Sequence, residues 1–193
     1  IIAIGLSYNT TFDEKPDYRI KGVLSRSSWG IDYHIVLKNK ISMLIKEIEK
    51  VISFKYKYFV DTGPLVDREI ARRAGIGYYG KNCSIINDQY GSFIFIGYIL
   101  TDLPIDEYSS PVKSKCGDCD LCLRACPTKA LEGPYRVNPK RCLSYLTQTK
   151  NMIPYELREK MGTRIYGCDT CQMVCPKNKG IKIPNHPEFM PIK

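Results

Sequence analysis

The stretch CGDCDLCLRACP, residues 116–127, sets Cys116, Cys119, Cys122 and Cys126 in one run and closes on Pro127. This is the spacing of the bacterial ferredoxin ligand run, in which three close thiolates wrap one 4Fe-4S cluster and the fourth ligates a second. A partial echo, RIYGCDTCQMVCP at residues 164–176, supplies Cys168, Cys171 and Cys175 and then stops at three. A complete second run needs a cysteine at 165, where Ile165 stands, and the nearest remaining thiol is Cys142 in NPKRCLSYL. Sharing ligands between the runs fills two cubanes. The first takes Cys116, Cys119, Cys122 and Cys175, and the second takes Cys126, Cys142, Cys168 and Cys171. Four-cysteine zinc sites also use Cys-x-x-Cys pairs, but a spacing complete once and echoed once favours clusters. Such close pairs are poor disulfide partners, so a reducing compartment, the cytoplasm, is expected. The ninth cysteine, Cys83, reads as a small core residue in an apolar hairpin strand.

The basic charge follows the cysteines. Residues 1–110 carry 14 Lys and Arg against 13 Asp and Glu, whereas residues 111–193 carry 15 against 7, so the net charge of +9 lies almost wholly in the second part. Two thiolate-bound clusters add about two negative charges each, which accounts for half of the local excess. The remainder, with Arg141, Lys150, Arg158 and Arg164 as the candidate contacts, suits a phosphate-rich partner. No apolar run approaches the roughly 20 residues that cross a bilayer, so no membrane attachment is expected. The chain opens at Ile1 without Met and runs straight into IIAIGLSY, which raises the expectation of an upstream segment.

IIAIGLSY reads as a buried strand closed by the Asn9-Thr10-Thr11 turn signal. In VLKNKISMLIKEIEKVI, residues 36–52, Leu37, Ile41, Leu44, Ile48 and Val51 form one helical stripe to pack on a sheet. FKYKYFV alternates as a half-exposed strand, and VDTGP breaks it before a helix that starts at Pro64, carries Leu65, Ile70, Ala71 and Ala74 and ends at Gly75. CSIIN and GSFIFIGYIL bracket Asp88-Gln89-Tyr90-Gly91 as a hairpin. Residues 1–110 are thus an α+β domain, a soft boundary falls at Ser109-Ser110-Pro111, and residues 111–193 form a cysteine-rich domain with one short helix in MIPYELREKMG.

Three further motifs carry possible chemistry. GIGYYG, residues 75–80, matches the dinucleotide fingerprint in letters only, because it follows a helix and leads into a strand. Gly77, Gly80 and Lys81 offer close approach to a bulky cofactor, or merely end the helix. Asp61 is either a turn or capping carboxylate with a lowered pKa, or a general acid held by desolvation. Asp32-Tyr33-His34 begins like the cobalamin pattern Asp-x-His-x-x-Gly, but Leu37 occupies the glycine position, so any corrinoid here lacks that histidine-ligated mode.

Taken together, VDTGPLVDREIARRAGIGYYGKN, GSFIFIGYILTDLP, CGDCDLCLRACPTKAL, RCLSYLT and IPYELREKMGTRIYGCDTCQMVCPKNK closely resemble the epoxyqueuosine reductase family, over about residues 1–179. The resemblance implies a nitroreductase-like cobalamin-binding domain, truncated at its N-terminus, followed by a ferredoxin-like domain with two 4Fe-4S clusters. It implies an oxidoreductase that converts epoxyqueuosine to queuosine at the tRNA wobble position. Electrons would come from an external low-potential donor and pass through the clusters to cobalamin. On this resemblance Asp61, opening the Asp-x-x-Pro segment, is the proton donor and lies with Ser144 and Asp169 beside the corrin. The protein is expected to be a monomer with tRNA as partner. One departure stands out: Ile31 occupies a position where the family usually has arginine, which bears on local substrate contacts. The alternatives are a two-cluster ferredoxin electron-transfer module, which leaves residues 1–110 without a role, and a cobalamin-dependent reductive dehalogenase, against which the basic charge argues.

Overall fold

The computed structural model describes residues 1–10 and 21–191. Thr11, the last residue of the turn expected after the first strand, lies outside the described residues. The opening apolar run forms β1 (Ile2–Ser7) and is followed by the short β2 (Val23–Leu24). Next come α1 (Tyr33–Glu49), β3 (Tyr56–Val60), α2 (Asp67–Arg73), β4 (Tyr78–Tyr79), β5 (Ile85–Ile86) and β6 (Ile94–Thr101). An antiparallel sheet in the order β1-β6-β3 carries the first half. Helix α1 covers one face, where Leu37 and Ile41 approach Gly97 so closely that a β-carbon there would sit 2.9 Å from Ile41 Cδ1. The core on this face joins Val36, Leu37, Ile41 and Ile45 to Val60, Phe95 and Ile99.

Three local expectations change. Helix α1 begins at Tyr33 because Asp32 caps it, its carboxylate accepting the His34 N–H at 2.8 Å. Its buried stripe runs through Val36, Leu37, Ile41 and Ile45, whereas Leu44 is exposed and Val51, 88% exposed, lies beyond the helix end. Helix α2 starts at Asp67, leaving Pro64 and Leu65 in the preceding loop. The hairpin around Gly91 is also different, since both edges of β6 are taken by β1 and β3. Ile85 and Ile86 therefore pair with Tyr79 and Tyr78, and only the Asn87 to Gly91 bridge closes the loop.

Residues 102–116 run without helix or strand and lead to the cysteines. The second half contains α3 (Leu121–Ala125), β7 (Leu131–Gly133), β8 (Arg136–Val137), α4 (Leu143–Leu146), α5 (Tyr155–Met161), β9 (Arg164–Tyr166) and α6 (Thr170–Met173). Each cysteine run carries a one-turn helix, and these two, α3 and α6, pack on each other.

The halves interlock. Strand β9 pairs in parallel with β2, the Arg26 N–H donates to Asp169 Oδ2 at 2.7 Å, and the Ser92 hydroxyl meets Gln172 Oε1 at 3.0 Å. Past the last cysteine the chain returns to the first core through the 3-10 turn Pro187–Phe189. Phe189, 2% exposed, packs on Phe95 with ring centroids 5.1 Å apart, while Glu188 pairs with Lys40 at 2.8 Å. Gly30 is required beside this turn, because any β-carbon would strike the Glu188 carbonyl and the Phe189 backbone. Phe189→Ala is expected to cost about 3–5 kcal/mol, the range for deleting a buried phenylalanine, read as a lower denaturant midpoint at unchanged slope. An unchanged midpoint would show that the tail is not part of the core.

Candidate functional site

The cysteines gather as two sets. Burial raises the pKa of the Cys175 thiol, with Cys116 and Cys119 beside it, and burial likewise raises Cys122, with Cys175 and Cys116 as its neighbours. These four line an apolar pocket of about 370 Å³, mouth included, with Ile86, Leu121 and Pro176 as walls and Lys81 and Lys177 as cations. The other set surrounds Cys171, whose thiol is pushed up to about 12 by burial and then by Cys168, Cys142, Cys122 and Cys126. Cys126 goes the opposite way. Burial opposes its ionisation, but the N–H groups of Leu131, Ala130 and Thr128 and the Thr128 hydroxyl point at the sulfur and lower its pKa. Among the described residues no three His, Cys, Asp or Glu side chains converge on the radius of a single ion. A lone zinc draws its sulfurs to about 2.3 Å from one point, whereas a cubane takes one thiolate on each iron and needs them farther apart. Thiols ringing an apolar space fit the second arrangement.

The backbone explains why the second run stops at three. Residue 165 lies inside β9, paired with β2, and Ile165 is 63% exposed and packed toward Gly22. Only after Gly167, at φ 71°, does the chain turn to present Cys168. Cys142 fills the set from the start of α4, where its carbonyl accepts the Leu146 N–H at 2.9 Å.

Asp61 follows β3 in a tight three-residue turn. Its φ is 61°, and the Thr62 N–H returns to the Val60 carbonyl at 2.7 Å, the rare positive-φ γ-turn. The Asp61 N–H donates to Asp67 Oδ2 at 3.0 Å, so Asp67, at the first turn of α2, holds the loop. Asp61 therefore does not cap α2. Its side chain, 64% exposed, faces the first turn of α1, where His34 Nε2 stands 3.7 Å from Oδ2. The Tyr33 hydroxyl lies beside the same carboxylate, and burial first, then Asp61, push its pKa well above the ordinary tyrosine value. Asp32 Oδ1 holds His34 Nδ1 from behind at 2.8 Å.

Asp61 opens onto a pocket of about 550 Å³, within the range for small-molecule sites. Leu65, Val66, Arg68, Tyr79 and Cys83 line it from the first half, and Tyr135 enters from the second. Asp67 also lines it, with its pKa raised by burial and its Oδ1 buried and without a hydrogen-bond partner. Cys83 does not lie in a core strand. It occupies a turn at φ 65°, forms part of this wall and has its pKa raised by burial, with Cys142 adding to the effect. Sequence reasoning missed His34, Tyr33, Asp67 and Cys83 as parts of this site. Asp32 carries the signal for two of them, since a capping aspartate fixes the next two residues in the first helical turn.

Residues 1–62 match the family model described as epoxyqueuosine reductase QueG, DUF1730, and residues 115–178 match the 4Fe-4S double cluster binding domain. An epoxyqueuosine reductase of Lactococcus garvieae is 51% identical over 195 residues, covering 99% of this chain and 55% of that protein. The crystal structure of epoxyqueuosine reductase with a tRNA-Tyr epoxyqueuosine-modified tRNA stem loop superposes with a TM-score of 0.93 at 45% identity, covering 98% of this chain and 51% of that one. The chain belongs to the epoxyqueuosine reductase family. A Bacillus subtilis epoxyqueuosine reductase, with its catalytic loop swung out of the active site, superposes with a TM-score of 0.90 at 43% identity, covering 98% and 51% of the two chains. The chain thus spans about half the length of the epoxyqueuosine reductases it matches.

The positions singled out on the family resemblance fall in different places. Ser144, half-buried on α4 two residues after Cys142, accepts hydrogen bonds on its carbonyl from Thr147 and Gln148. The Asp169 carboxylate is engaged by the Arg26 N–H, and burial raises its pKa. Neither residue lines the Asp61 pocket. The space made by Gly77 and Gly80 is filled by Ile86, and the Lys81 ammonium donates to the Gly117 carbonyl at 2.6 Å, on the cysteine side. Of the basic candidates, Lys150 and Arg158 are exposed, and Arg158 lies over the Tyr155 ring at 5.6 Å. Arg141 donates to the Thr128 carbonyl at 3.0 Å, and Arg164, half-buried, donates to the Met161 carbonyl and the Thr170 hydroxyl.

Proposed function

We propose that the chain supplies the reducing centre of an epoxyqueuosine reductase. Residues 1–110, a nitroreductase-like domain, would carry the cobalamin pocket, and residues 111–193 the two clusters. The observation that carries this reading is the shared wall: Asp61 and Cys83 line one pocket, and Cys83 lies near Cys142 of the second cysteine set. Asp61, Leu65, Val66, Tyr79 and Tyr135 would hold the corrin edge, and the two cysteine sets would each hold a cubane. When bound, these groups supply low-potential electrons and a metal centre able to open an epoxide.

The chain's own residues would do the rest. Asp61 faces the open pocket on a constrained turn, a position from which a carboxyl can give a proton to an oxygen whose carbon bond is breaking. Asp67 fixes the turn through the Asp61 N–H. The exposed Lys150 and Arg158, within a half carrying net +8, suit the phosphates of tRNA, and the relative solved with a tRNA stem loop supports that partner. No described helix is long and apolar enough to cross a membrane, and the proposed site of action is the cytoplasm. The test is an anaerobic assay of the full-length protein with cobalamin, a strong reductant and tRNA bearing epoxyqueuosine. Queuosine is the expected product. No product and no corrin spectral change on titration would leave only the ferredoxin-like electron-transfer reading.

A further inference from the structure

This inference rests on the proposed reduction and concerns its protons. Converting an epoxide to an alkene breaks two C–O bonds, takes up two electrons and two protons, and releases the oxygen as water. The electrons come from the external low-potential donor, but a single carboxyl at Asp61 holds only one proton. Tyr33 and His34 are the proton-bearing side chains that the first turn of α1 sets beside the Asp61 carboxylate. Tyr33 is a poor source, because burial and the adjacent carboxylate favour its protonated phenol.

His34 is different. Asp32 Oδ1 accepts the His34 backbone N–H at 2.8 Å and also contacts ring Nδ1 at 2.8 Å. One carboxylate thus caps α1 and grips the ring, which leaves Nε2 aimed at Asp61 Oδ2, 3.7 Å away. Helix capping needs only the backbone contact, so the ring contact is additional. Catalytic hydrogen bonds are commonly this long before substrate arrives. The ring is tilted on Tyr33 with centroids 4.1 Å apart and keeps 29% of its side-chain surface open to solvent. The groups bearing on it are Asp32, Asp61 and Tyr33, with Lys38 beyond Asp32 and Tyr166 of β9 beyond Tyr33.

We infer that His34 is the proton-relay residue that recharges Asp61 within a turnover, so that the Asp32–His34–Asp61 row delivers both protons of the reduction. The Asp61 carboxyl gives its proton to the oxygen as the first C–O bond breaks. Protonated His34 then passes its Nε2 proton to the Asp61 carboxylate, which protonates the hydroxyl as the second C–O bond breaks and water leaves. His34 ends neutral, with its Nδ1 proton held by Asp32, and regains a proton from solvent on its open side.

The test compares His34→Ala with His34→Gln in the full-length, cofactor-loaded protein. The relay requires kcat to fall about 10²-fold in both, the scale of a lost acid-base group, with KM and corrin titration unchanged. Added imidazole should restore much of the rate to His34→Ala, whose vacated space admits it, and none to His34→Gln. A rate within twofold of wild type, or a loss that imidazole leaves untouched while corrin binding is intact, would overturn the relay. A readout free of cofactor is the ¹⁵N spectrum of the histidine side chains, in which His34 is assigned by the resonances that His34→Gln removes. Asp61→Asn should move the His34 Nε2 resonance and leave His186 in place; no movement would also overturn the contact. If wild type itself makes no queuosine, the proposed function fails. If wild type is active and His34→Ala matches it, only the relay fails.

Discussion

Asp61→Asn is expected to lower turnover of epoxyqueuosine-tRNA by at least about 10²-fold while leaving cofactor and tRNA binding as they are. Asparagine suits this test because it tolerates the positive φ that Asp61 adopts. It keeps the backbone N–H that Asp67 accepts and an oxygen for the Tyr33 hydroxyl. The turn and the pocket rim therefore persist, and what disappears is the acidic proton. Asp61→Ala is less informative, since it also removes the Tyr33 and His34 contacts. Single-turnover kinetics under anaerobic conditions measure the loss, and corrin titration of the same preparation serves as the control. Near-normal turnover would remove Asp61 from the mechanism.

Cys142→Ala is expected to reduce the iron of the anaerobically reconstituted protein from about eight atoms per chain, two full cubanes, to about four. The thiol belongs to the set around Cys171, together with Cys168 and Cys126. Position 165 offers no substitute, because it is an outward-facing isoleucine in a paired strand. The backbone around Cys142 is held by the Pro139 and Leu146 hydrogen bonds, which alanine preserves, so iron loss would reflect the missing ligand and not a melted helix. Iron and sulfide analysis gives the answer, and retention of about eight irons rejects Cys142 as a ligand.

The two predictions draw on different kinds of legibility. Ligand spacing, local chemistry repeated within one sequence, gives the expectation that the runs share thiols, and the structure sets Cys175 near Cys116 and Cys119 and Cys142 near Cys171. The α+β character of the first half was readable from the apolar periods of β1 and α1. The pairing of Ile85 and Ile86 was not, since it depends on β6 already having a partner on each edge. The stripe of α1 was misjudged at Leu44 because spacings of three and four residues fit the same apolar letters, and only the sheet beneath chooses between them. His34 was visible merely as part of a failed cobalamin pattern. Its meeting with Asp61, 27 positions onward, is created by the sheet that sets the start of α1 beside the end of β3. Phe189 offered no local sign that it would enter a core made mostly by residues before position 100.

The return of Phe189 to that core bears on how electrons can move. A cysteine-bearing segment joined at one end swings on its linker, and the distance from its thiols to the Asp61 pocket then varies from moment to moment. Here residues 116–178 are anchored before and behind, by β6 upstream and by the Phe189 turn downstream, with the β2–β9 pair as a third attachment. The three attachments hold the cysteine-bearing half and the Asp61 pocket in one frame. On the proposed function, electrons would cross that frame without waiting for the cysteine-bearing half to swing into place.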